Sequence, residues 1–456
     1  MDVFLVQTAK GLFSSSGGYK SNYAVLSYLA SRGHRVRQIC YSHCGEIESY
    51  VKATLGSSQY DPRLHTKVLH MRSECGKPGV DVKVHEFCMD DGVEIVALES
   101  ESFDTAFGAK LASPSKLARM TAEYIETGTS SAPLMDFISF LQEEIRSFSP
   151  THIISNDGLT MKASFAPDLA HLGMSRVGVV HTAEQLPSGP FAGGVPGHSC
   201  TAREADLLQR LDGIWSVSKI IEDYALEHNE LQTRFLVHHP WTYLVGKERK
   251  MPKQFFNWDK KFIAMINPCA VKGSSIFVNL ARACPQFDFS AYMSWGTDNR
   301  IVKQLEDLPN MTTRPTCMNP EDLWLDTKVL VVPSLWCEAW GMVVVEAHLR
   351  GIPVVSSDAG ALPESMLGLD YVIPVNPING ERDELGGYII PEQDIRPWVK
   401  VITKLMQDKS EYERVSMTAR NATKQWLLGQ DNSDIERWLF DLRARSNKHG
   451  IASVHI

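Results

Sequence analysis

Short apolar runs alternate with helical patterns along most of this chain, in two consecutive series. That alternation restricts the fold to parallel sheets covered by helices. In the first series, strands are expected over 3–6 and 36–40 around a helix over 20–31 that Gly33 ends, making one βαβ unit. Further strands are expected over 152–155, 177–181, 214–217 and 235–238. The second series places strands over 262–266, 289–293, 329–332, 353–356 and 371–374. Between them lies a polar, basic stretch, Gly246-Lys-Glu-Arg-Lys-Met-Pro-Lys253, the best candidate linker. A chain of 456 residues also exceeds what one core organises. The fold class is therefore α/β, two doubly wound domains facing a cleft, divided at 1–243 and 244–424. Residues 45–130 break the pattern with turn-rich pieces such as Gly56-Ser-Ser and Gly76-Lys-Pro-Gly79, and are expected to be insertions that shape a specific pocket.

Composition excludes several functions. A net charge of -8 argues against nucleic acid or an anionic membrane as the main partner. No stretch reaches the roughly 18 apolar residues of a membrane span. Met1-Asp-Val-Phe-Leu-Val-Gln has the character of a first strand and not of a secretion signal. Nine cysteines, an odd and scattered set, suit reduced thiols and a cytoplasmic location. Cys40, His43 and Cys44 are the one tight cluster, and their spacing matches no zinc module, so no metal site is expected.

The chemistry concentrates in Pro333-Ser-Leu-Trp-Cys-Glu338-Ala-Trp-Gly341-Met-Val-Val-Val-Glu346-Ala. A strand ends at Pro333, a loop carries Glu338, and a helix then holds Glu346 among valines. A carboxylate in so apolar a run is costly to desolvate unless something bonds to it. Two acceptor-only groups at a strand end suit a ligand rich in hydroxyls, and the amides of Trp340, Gly341 and Met342 at the helix start suit phosphates. The plainer alternative is that Glu346 pairs with Arg350 and Glu338 caps the helix. Lys272, in Asn267-Pro-Cys-Ala-Val-Lys-Gly273, occupies the first turn of the second series, where a cation beside a helix N-terminus is placed for a diphosphate. Gly17 and Gly18 occupy the matching turn of the first series and allow a backbone to approach an anion. His181, at the end of its strand, is placed to bond a sugar hydroxyl; a purely structural histidine is the alternative. Asp358, in Gly351-Ile-Pro-Val-Val-Ser-Ser-Asp-Ala-Gly360, has the position of a turn former.

The glutamate pair, Lys272, these turns and the Gly-Ile-Pro-Val-Val-Ser-Ser-Asp-Ala-Gly run together resemble the retaining glycosyltransferases of family four, which includes sucrose synthase, sucrose-phosphate synthase and bacterial mannosyltransferases. The resemblance is closest over residues 260–370. It implies the GT-B architecture of two Rossmann-like domains, with the final helix, 425–456 here, crossing back to the first domain. It further implies a hexosyltransferase that takes a nucleotide-diphosphate sugar as co-substrate, UDP-glucose first and GDP-mannose next, with no further cofactor. The acceptor would be a small-molecule hydroxyl compound, a lipophilic one among the candidates.

By the same resemblance Glu346 binds the ribose and Glu338 the donor sugar. Gly17 or Gly18, Lys272 and the amides of Trp340 to Met342 hold the diphosphate, and His181 sits near sugar and acceptor. Catalysis then rests on Glu338, His181 and Lys272, with the departing diphosphate taking the acceptor proton on one face of the sugar. Relatives carry an arginine five positions before the lysine, where this chain has Asn267, also expected at the donor site. That departure keeps open a sugar-nucleotide-binding protein with impaired catalysis. A sugar-nucleotide 2-epimerase on the same architecture is the other alternative.

Overall fold

The structure, a computed structural model, describes residues 1–7, 17–54, 64–73, 78–107, 114–192, 199–241, 244, 251–294, 296–315, 320–384 and 386–452. Residues 11–16 of the first glycine-rich turn and 246–250 of the basic stretch lie outside them. The chain divides into two compact units, Met1–Tyr243 with Asp431–Ile456, and Leu244–Gln430.

The described residues of the first unit form nine strands: β1 (Asp2–Val6), β2 (Arg35–Ser42), β3 (His65–Met71), β4 (Val80–Cys88), β5 (Val93–Glu99), β6 (His152–Ser155), β7 (Ser175–Val180), β8 (Gly213–Ser216) and β9 (Phe235–Val237). Their order is β3-β4-β5-β2-β1-β6-β7-β8-β9. From β5 to β9 every pair is parallel, whereas β4 runs antiparallel to both neighbours. A parallel sheet covered on both faces needs apolar side chains on both. β1 shows how: Phe4 and Val6 face Phe137, Leu141 and Phe148, while Val3 and Leu5 face Val25, Leu26 and Leu29 of the first helix, Gly17–Ser31.

The last helix, Ser433–Ala452, joins that second face through Ile435, Trp438, Leu439 and Leu442. A Cβ on Gly213 would stand 2.5 Å from the Trp438 ring, so only glycine lets this helix lie so close. His152 Nε2 bonds the Leu439 carbonyl oxygen at 2.8 Å, fixing the same contact. The return of the chain begins after Gln430 and not at 425; the preceding helix, Lys409–Leu428, stays in the second unit, where Trp426 stacks on Trp340 at 5.6 Å.

Of the irregular region expected over 45–130, Gly56-Ser-Ser and residues 76–77 lie outside the described residues, and the described parts form regular elements. β3, β4 and β5 extend the parallel sheet by an antiparallel arm, flanked by helices Cys44–Thr54, Ser100–Ala106 and Pro114–Thr127. β3 is an edge strand with most of its residues exposed, which erases the apolar alternation that marks buried strands.

The described residues of the second unit form six parallel strands, β10 (Phe262–Ile266), β11 (Asp288–Tyr292), β12 (Met311–Arg314), β13 (Thr327–Val332), β14 (Val354–Ser357) and β15 (Val372–Ile373), ordered β12-β11-β10-β13-β14-β15. The central trio β10, β13 and β14 is buried almost throughout and packs on Val344, Ala347 and Ile352. β12, a half-exposed edge strand of sequence Met-Thr-Thr-Arg, carries no apolar run and escaped the sequence reading.

Candidate active site

In the second unit three neighbouring strand ends, those of β10, β13 and β14, are tied together by their loops. After β10 the chain turns through Asn267, whose φ of 55° lies in the left-handed region that asparagine tolerates. Lys272 N–H bonds the Cys269 carbonyl at 3.1 Å and Ser274 N–H bonds it at 3.1 Å, so the turn closes directly on helix Ser274–Ala283. Gly273 has a φ of 79°, and a Cβ there would fall 1.8 Å from the Pro333 carbonyl oxygen. Glycine is thus what lets the lysine turn touch the glutamate loop. Leu335 N–H then donates to the Val271 carbonyl at 3.0 Å. On the other side Ala361 N–H donates to the Glu338 carbonyl at 2.7 Å, and a Cβ on Gly360 would stand 2.2 Å from the Glu338 nitrogen.

This framework sets two charged side chains against each other. Lys272 Nζ lies 2.5 Å from Glu338 Oε1, which also accepts from Ser334 Oγ at 2.6 Å. Glu338 is 13% exposed and Lys272 28%, enclosed enough for the pair to matter and open enough for a ligand to reach. Ser334 is itself held, its carbonyl accepting from Ser357 Oγ at 2.6 Å.

Helix Met342–Leu349 starts at Gly341, where a Cβ would meet Ser365 Oγ at 2.5 Å. Buried Trp340 precedes it. The first amides of any helix lack an intrahelical acceptor, and here those are the amides of Met342 and Val343, next to the glutamate loop. Glu346 lies half-buried on this helix among Val344, Val345 and Ala347. The Arg350 guanidinium pairs with the Glu321 carboxylate and bonds the Glu346 backbone carbonyl at 2.9 Å.

Asn267 Oδ1 accepts from Gly296 N–H at 3.0 Å, so this side chain braces a neighbouring loop. Asp358 Oδ1 accepts from Val375 N–H at 3.0 Å, a turn-forming contact.

In the first unit Gly17 opens the first helix and Gly18 lies against the His181 ring, where an added Cβ would come within 3.1 Å. His181 follows β7 and its ring meets Trp215 edge-on at 6.1 Å. Its Nε2 lies 2.8 Å from Asn22 Oδ1, and Asn22 Nδ2 donates to Asn156 Oδ1 at 3.2 Å. Gln185 completes the ring of contacts: its Oε1 accepts from His181 N–H at 2.5 Å and its Nε2 donates to the Asn156 carbonyl at 2.8 Å. Burial pushes the imidazole down to about 4, so it is neutral at physiological pH.

The structure thus brings together Lys272 and Glu338 in one unit, and Gly18 and His181 in the other. Ser334, Asn22 and Gln185, which bond these side chains, were not singled out in the sequence; polar residues between apolar strands and helices were the available signal. Cys40, His43 and Cys44 do not converge: Cys40 is buried, His43 bonds Glu101 at 2.9 Å and Cys44 bonds Glu48 at 3.3 Å. No group of three metal-capable side chains occurs among the described residues, and no helix there is long and apolar enough to cross a membrane.

Residues 310–422, about a quarter of the chain, match the family model "Glycosyl transferases group 1". Among curated protein sequences no match is found. Solved structures match over nearly the whole length. Sucrose-phosphate synthase from Thermosynechococcus elongatus superposes with a TM-score of 0.64 at 14% identity, covering 98% of this chain and 100% of that one. Starch synthase IV from Arabidopsis thaliana, bound to ADP and acarbose, gives 0.58 at 12% identity over 98% and 99%. HepE of Anabaena, in complex with UDP and glucose, gives 0.57 at 13% identity over 97% and 98%. At such identities the likeness speaks for architecture, and the architecture of this chain is the GT-B fold.

Proposed function

We propose that this protein is a retaining glycosyltransferase that moves a hexose from a nucleotide-diphosphate sugar, UDP-glucose first among candidates, to the hydroxyl of a small-molecule acceptor. One observation carries the reading: Lys272 and Glu338, from two adjacent strand ends, meet at 2.5 Å on a framework that glycines 273 and 360 hold close. The family match over 310–422, which spans both glutamates, and the UDP and glucose bound by HepE support it.

The pair suits an exchange of partners. A diphosphate draws the Lys272 ammonium toward itself, and a sugar hydroxyl takes its place on Glu338, a charge-assisted bond of about 1.5–3 kcal/mol. Glu346 grips the ribose hydroxyls, and the amides of Trp340 to Met342 take phosphate oxygens. The bond between the anomeric carbon and the diphosphate oxygen breaks while the acceptor oxygen bonds that carbon on the same face. The acceptor proton passes to the departing diphosphate. Lys272 and the helix ends stabilise the charge that grows there, a task a metal ion performs elsewhere. Neutral His181 shares a hydrogen bond with a sugar hydroxyl.

A second reading, a nucleotide-sugar binder with impaired catalysis, is favoured by Asn267, a neutral residue committed to Gly296. One experiment separates the readings: incubation with UDP-glucose or GDP-mannose, a panel of hydroxyl acceptors, and chelator present throughout, read by nuclear magnetic resonance of the anomeric proton. An α-glycoside with release of the nucleoside diphosphate is expected. Binding without release favours the second reading, and an isomerised sugar from donor alone shows the epimerase.

A further inference from the structure

An imidazole with one nitrogen committed to an acceptor has its tautomer chosen for it. In the first unit Asn22, 1% exposed, gives its Nδ2 hydrogen to Asn156 Oδ1, so the oxygen it turns toward His181 is an acceptor. Gln185 donates to the Asn156 backbone carbonyl and also takes the His181 backbone N–H, holding the two backbones that carry these side chains. Gly18 closes one face of the ring and Trp215 meets it edge-on. The imidazole can therefore neither rotate freely nor choose its proton.

We propose that Asn22 is a positioning residue that holds the proton of neutral His181 on Nε2, leaving Nδ1 as a hydrogen-bond acceptor. The group His181 recognises is then one that donates a hydrogen, a hydroxyl, and not an anionic oxygen. A carboxylate or phosphate offered to Nδ1 meets a lone pair and is repelled. The consequence for the transfer reaction, that His181 accepts from a sugar hydroxyl, rests on the proposed glycosyltransferase reading; the tautomer itself does not.

The test is nitrogen-15 nuclear magnetic resonance of the full chain with labelled histidine, the His181 signals being assigned by their loss in His181→Gln. Wild-type protein should show His181 protonated on Nε2 alone. Asn22→Leu, similar in size but with no acceptor, should shift His181 toward a mixture of tautomers, and Asn22→Asp, which still accepts, should restore the Nε2–H form. In transfer from UDP-glucose, Asn22→Leu should lower kcat about tenfold, as loss of a partner that orients a functional imidazole does, with KM for the donor little changed. A wild-type proton on Nδ1, or an unchanged tautomer in Asn22→Leu, overturns the proposal. If no transfer is detected in wild-type protein while the tautomer behaves as described, the transferase reading fails and this one stands.

Discussion

The two units present opposite chemistries at the same kind of place, the turns that follow parallel strands. In the second unit the strand ends carry a charged pair, Lys272 and Glu338, backed by the start of a helix. In the first they carry a neutral imidazole surrounded by amides, His181 with Asn22, Asn156 and Gln185. The difference fits a division of labour in which full charge meets a diphosphate and neutral hydrogen bonds meet hydroxyls. It also shows in the protons each unit holds: burial pushes His152, His181 and His238 of the first unit down to about 4, while the second has one such buried histidine, His348, pushed down to about 3.

The largest effect that can break this contrast is at Lys272. Lys272→Ala should lower transfer by about a thousandfold, since a removed electrostatic stabiliser costs about 2.7–4 kcal/mol of barrier; substantial residual turnover would show that another cation carries the leaving group. Glu338→Gln comes next, with turnover down about a hundredfold and nucleotide affinity nearly intact. Equal loss of both in a calorimetric titration would move Glu338 from the sugar to the nucleotide.

Gly273→Ala tests the framework and not the chemistry. A left-handed backbone and a Cβ driven into the Pro333 carbonyl should together cost about 2–3 kcal/mol, read as a lowered denaturation midpoint. A variant as stable as wild type would mean that the two loops do not need to touch.

Acid should separate the units. A histidine neutral in the fold and protonated when unfolded makes the unfolded chain bind more protons, so stability falls as pH drops from about 6.5. Each such group removes up to about 1.4 kcal/mol per pH unit until its folded pKa, about 4 in the first unit, is reached. Three such groups against one predict that the first unit opens first on acidification. Hydrogen exchange resolved by peptide, corrected for intrinsic rates, would show this, and earlier opening of the second unit would contradict it.

The smallest effect concerns Asn267. Asn267→Arg should not raise activity and should cost about 1 kcal/mol, because a bulky residue sits poorly at a positive φ and Gly296 N–H loses its acceptor. A gain in turnover would show that the position still faces the donor.

What the sequence revealed follows the same contrast. The glutamate segment stood out because a charge within Val-Val-Val-Glu346-Ala is anomalous at the level of neighbours in the chain. The β1, β6, β7 and β10 strands were legible as unbroken apolar runs, as buried parallel strands must be. The antiparallel arm was harder, although Val80-Asp-Val-Lys-Val does alternate with period two and Val82 and Val84 are fully buried. The amide cluster around His181 was out of reach, since Asn22 and His181 lie 159 positions apart and meet only through the pairing of β1, β6 and β7. The reason for Asn267 was hidden likewise: it answers to a backbone angle and to Gly296, neither visible as a pattern.

The most direct measurement is the thermal stability of the full chain with nucleoside diphosphates and their hexose conjugates, in wild type and Lys272→Ala. A ligand at about 100 times its dissociation constant should stabilise wild-type protein by about 2.7 kcal/mol, with UDP or UDP-glucose giving the largest shift, and most of that shift should vanish in the variant. No stabilisation by any nucleoside diphosphate, or equal stabilisation of both proteins, would contradict the assignment of Lys272 and Glu338 to an activated sugar.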